Sequence, residues 1–290
     1  MNKDLYPEAI SLHVFNRPLE TRKVFEIIKK IKPKQLFITA DGPRKGNETD
    51  VNNCAEVRAI VSDIDWSCKV YKNFSDKNKG SFKSTSEGIS WVFKHVDRAI
   101  ILEDDCIPSL SFFRFCHELL DYYENDTRVA MISGNNFQKG NNVTKDSYYF
   151  SRYTHIWGWA TWKRTWDKVD FSMSDWPEFR LVNGLKSSFC EQNAILYWDK
   201  IYQDMYDKRS KLHWDFLLSL STYMNNTLTI LPNKNLVSNI GFGPDASNCK
   251  QKSDFHCLTP EEIDFPLKHP SFMSRFVAAD NFTERNIFSR

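Results

Sequence analysis

The sequence predicts an α/β fold, with a largely parallel sheet covered by helices on both faces and built as one continuous domain. Three observations carry this. Short apolar runs alternate with segments of helical periodicity through the first half of the chain. Three of those runs end in polar or acidic residues, at the strand ends where open α/β sheets bind ligands. No repeat, low-complexity segment or flexible linker divides the 290 residues, a length that suits one large or two modest α/β domains.

The elements follow in order. Ala9 to Phe15 reads as the first strand, and Leu19 to Ile31 as a helix with Val24, Ile27, Ile28 and Ile31 at helical spacing, stopped by Pro33. Leu36 to Thr39 is a second strand ending in the turn Asp41-Gly42-Pro43. Glu56 to Ser62 suits a short helix, Cys68 to Tyr71 a short strand, and Thr85 to His95 a helix leading to the apolar run Ala99 to Leu102. That run ends in Glu103, Asp104 and Asp105. Ser109 is placed to cap a helix over Phe112 to Tyr123, whose stripe is Phe112, Phe115, Cys116, Leu119 and Leu120, and Val129 to Ser133 supplies a further strand. From Tyr148 to Trp166 the chain turns aromatic. It is then helical over Ala194 to Asp207 and Trp214 to Met224, with a strand at Leu228 to Leu231 and a loop at Gly241 to Asp245.

Composition sets limits. With 41% hydrophobic and 26% charged residues the chain is an ordinary globular one, but nine Trp and 22 Phe exceed what a core needs and point to a ligand surface. A net charge of +2 argues against a nucleic-acid partner. The seven cysteines (Cys54, Cys68, Cys106, Cys116, Cys190, Cys249, Cys257) form no CxxC or zinc pattern, so reduced thiols in a cytoplasm are expected. Neither a signal-peptide core nor a membrane-spanning apolar run is present, and there is no GxGxxG or Walker A motif.

Carboxylates at a strand end suit Mn²⁺ or Mg²⁺ completed by substrate phosphates; the plain alternative is an acidic turn capping the next helix. His13, Asn16 and Arg17 follow the first strand and Asp41 the second, where Arg17 can neutralise phosphate and Asp41 can accept from a base N–H. Lys79 to Ser84 adds donors before a helix start. Tyr153 to Trp162 sets three tryptophans around Gly158, a surface on which sugar faces can stack. Asp215, in His213-Trp214-Asp215, is either a helix cap or a general base.

Four ordered blocks then carry a resemblance: HVFNRP at His13 to Pro18, AIILEDDCIP at Ala99 to Pro108, WGWATWKRTW at Trp157 to Trp166, and HWDF at His213 to Phe216 followed by NIGFGPDASN at Asn239 to Asn248. The chain resembles the metal-dependent glycosyltransferases of the GT-A fold, particularly bacterial nucleotide-sugar transferases similar to the Golgi N-acetylglucosaminyltransferase that initiates complex N-glycans. The resemblance implies a Rossmann-like mixed sheet flanked by helices, with residues 1–135 binding the nucleotide sugar and residues 136–290 the acceptor. It also implies an inverting transfer from a nucleotide-diphosphate donor, most simply a UDP-sugar, to a glycan or lipid-linked oligosaccharide.

Residue by residue, it implies that Asp105 ligates the metal, Asp104 contacts the ribose or metal shell, and Glu103 contacts the donor sugar. His13, Phe15, Asn16, Arg17 and Asp41 fall at donor-binding positions, with Asp41 on the uracil. Trp157, Gly158, Trp159 and Trp214 fall where the acceptor binds, Asp215 where the catalytic base stands, and Ser247 in a loop that closes over the diphosphate. The chain departs from the family where it lacks the base-contacting His, leaving Lys83 or Ser84 to that contact, and where Asn248 replaces a His in many relatives.

Two other functions compete. A metal-dependent sugar nucleotidyltransferase would share sheet and metal, but it normally shows a glycine-rich phosphate loop, and Ser11 to Pro18 contains no glycine. A non-catalytic saccharide-binding module would explain the tryptophans but not the acids. The tail from Ser271 to Arg290, mixing Phe with Arg, suits either peripheral contact with an anionic inner membrane surface or a closing segment packed on the body.

Overall fold

Strand and helix alternate at the start of the chain to build four parallel strands. In the computed structural model, which describes residues 5–141, 143–208, 212–241 and 258–288, these are β1 (Ile10–Val14), α1 (Pro18–Ile31), β2 (Gln35–Ala40), α2 (Glu48–Ile60), β3 (Lys69–Phe74), α3 (Ser81–Val92) and β4 (Arg98–Glu103). Next come β5 (Cys106–Pro108), α4 (Leu110–Tyr122), β6 (Val129–Ser133), β7 (Tyr148–Ser151), β8 (Trp159–Trp162) and α5 (Lys163–Trp166). They are followed by α6 (Trp176–Leu181), α7 (Gln192–Lys208), α8 (Trp214–Met224), β9 (Leu228–Pro232), β10 (Val237–Asn239) and α9 (Val277–Thr283).

The main sheet has the order β3-β2-β1-β4-β8-β6-β9-β7, and β5 pairs with β10 in a separate antiparallel ribbon. β1 to β4 run parallel, whereas β8 is antiparallel to both β4 and β6, and β7 to β9. The sheet is therefore mixed and flanked by helices, as the resemblance implies, rather than largely parallel as residue patterns alone suggest. The difference lies in β8: the Trp-Ala-Thr-Trp segment, which reads as a cleft lining, is a fully buried central strand.

Side-chain alternation along the parallel strands divides the core in two. Ile10, Leu12, Leu36, Ile38, Ile100 and Leu102 face one cluster, packed with Val24, Phe25 and Ile28 of α1, Val57 of α2 and Phe115 and Leu119 of α4. Phe37, Ala99 and Ile101 face the other, with Ile89 of α3, Trp198 of α7 and Trp214 and Leu217 of α8. Both faces of β1 to β4 are thereby covered, which leaves the carboxyl ends of these strands as the opening for a ligand.

Two helix starts differ from expectation. α2 begins eight residues before Glu56, because Asn47 accepts from the Asp50 N–H at 3.0 Å and Asp50 itself is buried. The Ser109 side chain does not cap α4; the Glu262 carboxylate accepts from the N–H groups of Leu110 (3.1 Å) and Ser111 (2.8 Å) instead. The tail packs on the body: Asp280 accepts from Ser151 Oγ at 2.5 Å, and Gln138 donates to the Ala279 carbonyl at 3.1 Å. Among the described residues no helix is long and apolar enough to cross a membrane.

Candidate active site

β4 ends at Glu103, and the chain turns through Asp104 and Asp105 before β5 takes it away. Asp104 Oδ2 accepts from the Phe15 N–H at 3.0 Å, which ties the acidic turn to the end of β1. Asp105 is held from three sides. Arg17 Nη1 donates to its Oδ2 at 2.6 Å, Asn239 Nδ2 to its Oδ1 at 3.2 Å, and the Ile240 N–H to its carbonyl at 2.8 Å. Gly241 lies against this pair so closely that an added Cβ would overlap Asp105 Oδ2 and stand 2.7 Å from Arg17 Nη1.

The charges here do not balance. Asp104 and Asp105 are each 7% exposed, and the Glu103 carboxyl has no hydrogen-bond partner among the described residues. Burial, then the neighbouring Asp105 and Asp104, push the Glu103 carboxyl well above its ordinary range. Burial and Asp105 also raise Asp104, against the pull of Arg17 and the Phe15 N–H. Three carboxyl groups thus share one guanidinium. That donor set fits a hard divalent cation, which takes carboxylate oxygens and would relieve the mutual repulsion.

A cleft of about 220 Å³ opens over Glu103 and Asp105. Its walls are Arg17, Ser81 and Phe82 from the first half, and Ile156, Trp157, Leu212, His213, Trp214, Asp215, Asn239 and Gly241 from the second. Asp215 sits in the first turn of α8, where burial raises its pKa and the His213 charge and the Phe216 N–H act in the opposite sense. The cleft therefore carries a guanidinium and clustered acids together with the Asp215 carboxyl, whose charge adds to the rise at Glu103.

Of the residues expected from sequence, Arg17, Glu103, Asp105, Trp157, Trp214 and Asp215 come together at this cleft, with Asp104 directly behind. Others do not. His13 is buried, with Nε2 2.9 Å from Ser11 Oγ and its pKa lowered by burial to about 4. Phe15 reaches the site through its backbone while its ring lies under the Arg44 guanidinium, and Asn16 donates to Asp50 at 2.8 Å.

Asp41, expected on a base, spends its carboxylate on the protein: it accepts from the N–H groups of Gly42 (2.8 Å), Lys79 (2.9 Å) and Gly80 (3.1 Å) and from Asn78 Nδ2 (3.1 Å). Lys83 and Ser84 lie outside the cleft lining, where the first turn of α3 presents Ser81 and Phe82 instead. Trp159 is fully buried, so its ring cannot touch an acceptor; it stacks on Trp214. Gly158 serves the backbone, with φ of 68° and Val237 and Leu102 packed against it. Ser247 and Asn248 lie outside the described residues, as do Cys249 and Cys257.

Sequence reasoning did not name Ser81, Phe82, Ile156, Leu212, His213, Asn239 and Gly241 individually as site residues. Most had a signal: Ser81 and Phe82 lie in Lys79 to Ser84, Ile156 in Tyr153 to Trp162, His213 beside Asp215, and Asn239 and Gly241 in the NIGFGP block. Leu212 had none, because periodicity does not separate a cleft wall from a core.

A second group, Glu8, His117 and Asp121, brings its ligand atoms close enough to hold a metal ion. It lies at the start of β4, roughly 16 Å from Glu103 at about 3.3 Å per residue. Arg98 already bonds both Glu8 oxygens at 2.8 Å and Asp121 at 2.6 Å, so a cation is needed less here than at Asp105.

No family model and no curated protein matches the sequence. Among solved structures, mouse xyloside xylosyltransferase 1 in its apo form is similar at 13% identity over 76% of this chain and 83% of that one, with a TM-score of 0.38. The UTP-bound UGPase of Acinetobacter baumannii is similar at 6% identity over 78% and 85%, TM-score 0.39. The 4-diphosphocytidyl-2C-methyl-D-erythritol synthase of Anaerococcus prevotii is similar at 11% over 68% and 96%, TM-score 0.36. These likenesses are remote and do not single out the Golgi enzyme. The functional reading rests on the site.

Proposed function

We infer that the protein is a metal-dependent enzyme acting on a nucleotide sugar, and that its reaction is an inverting glycosyl transfer to a glycan or lipid-linked glycan. The observation that carries this reading is one cleft lined by Arg17 and Asp105 together with the half-buried Asp215 carboxyl. In this reading Arg17 pairs with the donor diphosphate, Glu103 and Asp104 contact its sugar and ribose, and Asp105 holds Mn²⁺ or Mg²⁺. When bound, such a cation offsets the charge that grows on the departing diphosphate.

Asp215 takes the proton from an acceptor hydroxyl, whose oxygen forms the new bond to the anomeric carbon as the bond to the diphosphate breaks. A single displacement inverts that carbon. Burial suits Asp215 to the task, since a carboxylate of raised pKa is a stronger base. The Trp157 ring, on the same wall, offers an apolar face to a sugar.

Sugar nucleotidyl transfer is the second reading, because the same acids beside Arg17 suit attack on an α-phosphate. Nucleotide sugars should be screened for metal-dependent nucleoside diphosphate release, in parallel with nucleoside triphosphate plus sugar 1-phosphate for pyrophosphate release. Diphosphate release supports glycosyl transfer and pyrophosphate release the alternative. Absence of metal-dependent UDP binding by calorimetry would leave only a saccharide-binding module.

A further inference from the structure

Arg17 stands where a cation would. Its Nη1 lies 2.6 Å from Asp105 Oδ2 and 3.9 Å from Asp104 Oδ1, and among the described residues its side chain has no other partner. Asn239 Nδ2 holds the other oxygen, Oδ1, at 3.2 Å, which sets the carboxylate with Oδ2 toward the guanidinium. Arg17 itself is free to leave. Its backbone is fixed at the start of α1 by Pro18, but its side chain does not cap that helix and lines the cleft with unused N–H donors. A diphosphate entering the cleft offers those donors paired oxygens, the geometry a guanidinium binds best.

We propose that Arg17 is a resident counter-ion that keeps the nucleotide-free protein from holding a divalent cation, and that the donor diphosphate draws it off Asp105. Cation and nucleotide then load together. The physical basis is exclusion: a guanidinium at hydrogen-bond distance from Oδ2 repels any ion on the same oxygen, and a nearby diphosphate reverses the balance by taking the Arg charge and adding ligand oxygens. This coupling rests on the nucleotide-sugar reading of the cleft.

Mn²⁺ binding to the full chain tests it, by calorimetry and by the loss of the free-ion electron paramagnetic resonance signal, with and without UDP. Nucleotide-free Arg17→Gln should bind Mn²⁺ at least about tenfold more tightly than wild type. Arg17→Lys, which keeps the charge, should stay within about threefold. UDP should raise the Mn²⁺ affinity of wild type at least about tenfold and that of Arg17→Gln far less. Circular dichroism checks that both variants are folded.

Equal Mn²⁺ affinity of nucleotide-free wild type and Arg17→Gln, with UDP and Mn²⁺ still coupled in wild type, overturns the role of Arg17 alone. A wild type that takes up neither Mn²⁺ nor UDP overturns the nucleotide-sugar reading and this coupling with it.

Discussion

The rings of Trp159 and Trp214 stack 6.0 Å apart with planes 20° from parallel, joining the central strand β8 to the first turn of α8. Asp215 follows Trp214 directly, so the position of its carboxyl depends on this contact. Trp159→Ala should destabilise the fold by about 3–5 kcal/mol, as large-to-small core changes do. Denaturant unfolding checks it, and a loss under about 1 kcal/mol would show that the ring is not part of the core.

Asp215→Asn should leave metal-dependent nucleotide binding within about twofold of wild type while lowering turnover by about 10² to 10⁴. Calorimetry and steady-state kinetics give the two numbers. Because burial raises the Asp215 pKa, the acid limb of the pH–rate profile should fall above the ordinary carboxylate value of about 4. Retained transfer by the Asn variant removes Asp215 from the role of base.

Gly241→Ala should crowd Asp105 Oδ2 and Arg17 Nη1, the groups nearest the new methyl. The methyl displaces the guanidinium but covers the same oxygen a cation would use, so, unlike Arg17→Gln, this variant should lose Mn²⁺ and nucleotide affinity, by about tenfold or more. An unchanged affinity would mean that the chain at Gly241 shifts freely.

Asp41 clamps the segment Asn78 to Gly80 ahead of α3. Asp41→Ala leaves several donors unpaired and should cost about 2–4 kcal/mol in stability. It should also weaken donor binding to a similar degree for uridine and other nucleotides, because Ser81 and Phe82 lose their footing together. A loss confined to uridine nucleotides would instead assign Asp41 to the base.

Burial lowers the His155 pKa to about 3, and its ring packs on Phe137 and Tyr153. A depressed folded value means that this stability is fully present above the unfolded pKa of about 6.5 and drains away as pH falls toward 3. Between pH 7 and 4.5 the loss should be about 2–3 kcal/mol. His155→Phe should show a smaller fall over the same interval when both proteins are unfolded with urea at each pH.

The acidic turn was legible because an apolar strand that stops at three acids breaks a simple pattern, and Arg17 and Asp215 stood out as charges at element boundaries. The burial of His13 and Trp159 was not legible for a common reason: residue type says what a side chain can contact, not which side of the sheet it faces. α2 was cut short because its inward face begins with the buried Asp50 and shows no apolar stripe there. The cap on α4 comes from Glu262, some 150 residues away, and no local spacing encodes it. The antiparallel insertion of β8 escaped for a similar reason, since an aromatic strand buried on both faces has no period to read.

The contact of Gly241 with Asp105 and Arg17 is a constraint of space. Three positions far apart in the chain share one small volume, so a side chain gained at 241 must be met by a smaller or repositioned group at 17 or 105. The glycine is thus the condition on which a full-sized Asp and Arg can share that volume.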